Sequence, residues 1–94
     1  MSRFKPIELD DARRALSIAG GHAAEARKSL RRGECDGAAK GLEMAWYHLG
    51  RAVAIGRPLS EPRPRLIGRS DRFAESLTAL GAGVRACLRS RHAG

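Results

Sequence analysis

Apolar residues recur along most of this chain at alternating steps of four and three. Ala12, Leu16, Ala19, Ala23, Ala26 and Leu30 form a first series. Cys35, Ala38, Leu42, Ala45, Leu49 and Ala52 form a second, with Trp46 and Val53 beside it. Phe73, Leu77, Leu80, Val84 and Cys87 form a third, flanked by Ala74 and Leu88. This rhythm places each series on one face of an α-helix, and no period-two alternation of any length occurs. The pattern predicts an all-α fold, a small three-helix bundle forming one domain over residues 1–94. The expected helices cover about 9–32, 36–55 and 70–91, with an extended N-terminal arm at 1–7 and an extended Pro-rich linker at 56–69.

Local signals set those boundaries. Pro6 is expected to block helix before it, and Asp10 or Asp11 to cap the first helix. Gly20-Gly21 falls inside the first series, but the seam keeps its phase across both, which predicts a continuous or gently kinked helix. Gly33 is a natural stop. Asp36 is the expected cap of the second helix, which Gly56 and Pro58 end, and Ser70 or Asp71 that of the third. The prolines of "GRPLSEPRPRLIG" favour extended backbone, with Leu59, Leu66 and Ile67 as apolar anchors.

The first two seams are dominated by Ala, so their helices should approach closely, joined by a short turn as an αα-hairpin. The succession Gly33, Ala38, Leu42, Ala45 resembles the second half of a tetratricopeptide-type hairpin. It also resembles the small–Gly–small hairpins of nucleotidyltransferase-associated helical domains. The resemblance covers about 30 residues and implies the hairpin alone, since no second copy of the unit exists and a solenoid needs about three. The proline expected after a tetratricopeptide unit's second helix is also displaced: Gly50 falls near that place and Pro58 comes later.

Composition alters the picture in two ways. Large apolar residues are few, which predicts a thin core completed by a partner or by self-association. The formal net charge is +8, and nearly all the basic residues are Arg. Acids stand at the predicted helix starts (Asp10, Asp11, Asp36, Asp71) and bases at the ends, the arrangement that helix dipoles favour. That arrangement explains polarity within each helix but not the excess, which calls for an acidic neighbour. One basic cluster is Arg27, Lys28, Arg31 and Arg32, and another is Arg85, Arg89, Arg91 and His92. The two meet if the third helix runs parallel to the first. A third group, Arg63, Arg65, Arg69 and Arg72, lies in and after the predicted linker.

Candidate chemistry is sparse. No apolar run reaches the roughly 18 residues of a membrane span. "MSRFKPIELDD" lacks the apolar region of a signal peptide. Cys35 and Cys87 read as two free thiols in a reducing compartment, either cytoplasm or the inside of an intracellular or virion assembly. "ECD" at 34–36 lacks the clustered Cys and His of a metal site, and no cofactor is expected. "RACLRSRH" at 85–92 resembles the Arg-x6-His spacing of a helical ribonuclease family, but Ala86 stands where that family carries a polar residue. With no phosphate-binding loop and no catalytic triad spacing, the chain is not expected to be an enzyme.

The sequence therefore predicts a non-enzymatic protein-interaction or assembly module, expected to form a homo-oligomer or bind a protein partner, with no membrane association. Its expected contacts are Phe4, Tyr47, Leu59, Leu66 and Ile67. One alternative is a non-specific nucleic-acid binder using Arg27, Lys28, Arg31, Arg32, Arg85 and Arg89. Another is a small regulator that binds and blocks a protein.

Overall fold

Three helices pack side by side into an all-α bundle: α1 (Pro6–Arg31), α2 (Cys35–Gly56) and α3 (Pro64–Ala93). The computed structural model describes the backbone of residues 6–56 and 64–93 and the side chains of 10–56 and 66–91. Phe4 and Leu59 lie outside the described residues.

α1 passes through Gly20-Gly21 without interruption. It ends at Arg31, and Gly33 in the turn beyond it has a φ of 76°, which is open to glycine at little cost. There the Glu34 N–H donates to the Ser29 carbonyl (2.8 Å) and the Gly33 N–H to that of Leu30 (3.0 Å). These two bonds satisfy carbonyls that the helix end would otherwise orphan.

Three helix starts differ from expectation. α1 begins at Pro6, because a proline at the first helical position loses no hydrogen bond. Asp10 and Asp11 therefore lie inside the helix. α2 begins at Cys35, and the Glu34 carbonyl accepts from the Ala38 N–H (3.0 Å), so Asp36 sits in the first turn and is not the cap. α3 begins at Pro64, six residues before the predicted start, by the same proline rule. Ser70 and Asp71 are thus interior helical residues, and the end of the presumed linker is helix. Leu66 is not a linker anchor: it is 8% exposed, within the core and against Gly56.

Alanine carries the α1–α2 contact, the most extensive in the molecule. Ala12, Ala19, Ala23 and Ala26 of α1 are buried with Ala38, Ala45 and Ala52 of α2. Such small side chains let the two backbones approach where larger ones would hold them apart. α3 supplies the bulk that the hairpin lacks, through Leu66, Leu77, Leu80 and Val84. Leu77 is fully buried.

The direction of α3 follows from its partners. Cys35 is bonded to Cys87, Leu42 faces Gly81, and Gly56 faces Leu66. Each step forward along α2 meets a step backward along α3, so the two are antiparallel and α3 runs parallel to α1. α3 leans chiefly on α2 and touches α1 sparingly. The bundle is long and narrow, 61 × 17 × 15 Å.

The disulfide corrects the expectation of two free thiols. Both cysteines sit on core seams, and antiparallel packing brings the start of α2 and the end of α3 to one level. The inference of a reducing compartment loses its basis. Among the described residues no helix is long and apolar enough to cross a membrane.

Candidate interaction site

Trp46 and Tyr47 follow one another on α2, so their side chains leave the helix about 100° apart. Both reach the surface: Trp46 is 40% exposed and Tyr47 is 61% exposed. Trp46 stands beside the buried seam of Ala45 and Leu49. Ile67, 50% exposed, lies in the first turns of α3, pointing away from its buried neighbour Leu66. The expected contacts Tyr47 and Ile67 are therefore at the surface and Leu66 is not.

His48, the next residue of α2, turns inward toward α1. Its ring stacks on that of His22, with centroids 5.3 Å apart and planes 8° from parallel. The Tyr47 ring meets it edge-on at 5.1 Å. Burial pushes the His48 imidazole below its ordinary pKa, and the neighbouring His22 and Arg51 push the same way. Its Nδ1 is buried without a hydrogen-bond partner among the described residues. A buried neutral nitrogen tolerates this arrangement better than an imidazolium would.

The parallel course of α1 and α3 brings their basic C-terminal ends to the end of the bundle that holds the disulfide. Lys28, Arg31, Arg32, Arg85 and Arg89 are exposed there, and Arg27 is half-buried. Acidic residues answer part of this charge. Lys28 pairs with Glu25 (3.5 Å), Arg32 with Glu34 (2.8 Å), and Arg91 with Asp36 (2.7 Å) across the α2–α3 junction. Arg31, Arg85 and Arg89 have no ion pair among the described residues.

A cleft of about 610 Å³ opens between α1 and α3, the helix pair with the least mutual contact. Leu16, Gly20 and Phe73 give it an apolar floor, and Ser17, Ser76, Arg69 and Arg72 a polar rim. The Arg27 guanidinium donates to the Ser76 hydroxyl, which holds a third cation at the margin. Arg69 and Arg72 are grouped in the sequence as bases in and after the linker, but not with Phe73, Ser76 and the α1 residues that complete the cleft. The signal was present: 69, 72, 73 and 76 share one helical face once α3 is taken back to Pro64.

Among the described residues no three metal-ligating side chains come together. No family model, curated protein or solved structure matches the chain.

Proposed function

We propose that this chain is a non-enzymatic helical interaction module, which binds a protein partner or a second copy through the outer surface of α2. One observation carries the reading. The only Trp and the only Tyr of the chain are both exposed while its core is built largely from Ala. Large aromatic side chains contribute most when buried, and at interfaces they dominate binding energy. A thin core with both of these residues outside it is the composition of a part whose burial is completed by association.

Light scattering on a sizing column, at low and high salt, tests this. The native chain is expected to associate in a salt-resistant manner, with itself or with a co-purified protein. Trp46→Ala combined with Tyr47→Ala is expected to abolish the association while circular dichroism stays unchanged. Association that survives the double substitution overturns the assignment of this surface.

A second reading rests on Arg31, Arg85 and Arg89, three exposed arginines without ion pairs among the described residues. Such a surface suits the phosphates of a nucleic acid without reading its sequence. Absorbance at 260 nm in the same column run separates the two readings: bound nucleic acid that high salt removes favours the arginines.

A further inference from the structure

We infer that the cleft between α1 and α3 receives an acidic segment of a partner protein, with an apolar side chain seated between Leu16, Gly20 and Phe73 and carboxylates meeting Arg69, Arg72 and Arg27. α3 packs chiefly on α2 and touches α1 sparingly, which leaves room for the cleft between them. Gly20 lines it and faces open space: a Cβ there would meet nothing within 4 Å, so a larger side chain can be placed there to occupy the cleft. The cleft, about 610 Å³, is open rather than enclosed, and so suits a segment laid across it.

Charge selects the occupant. Two of the lining residues are arginines and none is acidic. Arg27, fixed by its bond to Ser76, adds a third guanidinium. None of the three has an ion pair among the described residues, whereas Lys28, Arg32 and Arg91 each have one. Guanidinium groups bind carboxylates in a planar, two-bond geometry, so an acidic side chain at the rim is well met. The floor is mainly aliphatic, with Phe73 its single aromatic, which suits an apolar side chain of a peptide better than a run of stacked bases. An amphipathic acidic helix laid along the α1–α3 cleft satisfies both demands. Neither Trp46 nor Tyr47 lines the cleft, so this inference stands or falls apart from the α2 surface.

The test uses the full chain with its disulfide intact and a fluorescein-labelled helical peptide with Leu at i, i+3, i+4 and i+7 and Glu elsewhere. Fluorescence anisotropy is expected to show saturable one-to-one binding. Replacing every Glu of the peptide with Gln is expected to weaken binding by at least about tenfold. Gly20→Leu, which fills the cleft, and Arg69→Gln with Arg72→Gln, which removes its charge, are each expected to do the same. Lys40→Gln, which removes an exposed charge of α2 away from the cleft, is expected to leave the peptide affinity unchanged. The proposal is overturned if the Glu peptide does not bind. It is equally overturned if the peptide binds both cleft variants as it binds the native chain, or if the Gln peptide binds as well. A labelled single-stranded oligonucleotide that binds, loses affinity in Gly20→Leu and is not displaced by the Glu peptide would make the cleft a nucleic-acid site instead.

Discussion

Gly41 of α2 lies directly against Ala26 of α1: a Cβ added at position 41 would stand 3.0 Å from the Ala26 Cβ and 3.2 Å from its Cα. The His22 carbonyl oxygen, also at 3.2 Å, closes the same space. Two of these three atoms are backbone and cannot rotate away, so Gly41→Ala must push the helices apart. Overpacking of this kind is expected to cost about 1–3 kcal/mol. Gly21→Ala is the control, since its Cβ would meet nothing within 4 Å. At this interior helical position alanine is expected to stabilise by about 0.5–1 kcal/mol. Urea midpoints for the two variants should move in opposite directions, and a Gly41→Ala protein as stable as the native one would refute the close-packed hairpin.

The Cys35–Cys87 bond closes a loop spanning 52 positions of sequence. Loop-closure entropy for that length corresponds to roughly 4 kcal/mol, an amount comparable to the whole stability of many small domains. Reduction, or Cys35→Ser with Cys87→Ser, is expected to lower the melting temperature sharply while the α1–α2 hairpin keeps part of its helicity. Circular dichroism with and without reductant measures it. An unchanged melting curve would show that the packing of α3 does not depend on the bond.

Acid should weaken the fold through His48. Its folded pKa lies below the ordinary imidazole value of 6.5, first through burial and then through His22 and Arg51. On acidification the unfolded chain therefore takes up this proton first. The stability owed to neutral His48 is complete above the unfolded value and is lost as pH falls from there through the folded one. Melting temperature is expected to fall with decreasing pH in that window, and to fall less in His48→Gln. Identical pH profiles for the two proteins would remove His48 as the cause.

Leu66 and Ile67 are neighbours with opposite roles. Leu66→Ala removes a buried side chain and is expected to cost about 2–5 kcal/mol. Ile67→Ser changes an exposed position and is expected to stay within about 0.5 kcal/mol. Chemical denaturation of each variant checks this, and equal costs would contradict the placement of the first turns of α3.

How much of this was legible beforehand varies from residue to residue. The Ala and Leu seams announced three helices because burial imposes a period close to 3.6 regardless of partner. Gly33 announced the turn because few other residues accept its backbone angle. The start of α3 was hidden, because prolines that signal extended chain in a run also begin helices when they stand at the first position. That ambiguity moved Leu66 from core to linker and left Arg69 outside the helix that carries Phe73 and Ser76. The disulfide was hidden for a different reason: pairing depends on the direction of α3, and a long linker permits either direction.

The 61 × 17 × 15 Å outline has its own effect on how this molecule will be judged in solution. A rod with such an axial ratio drags more water than a sphere of equal mass and diffuses more slowly. Columns calibrated with globular standards will therefore assign a solitary chain an inflated mass. Rotational correlation times will split along and across the long axis, so amide relaxation rates in the helices should depend on the angle each N–H makes with it. N–H vectors point along their helix, so in helices packed side by side in such a rod they should report the slow end-over-end tumbling more than the spin about the axis.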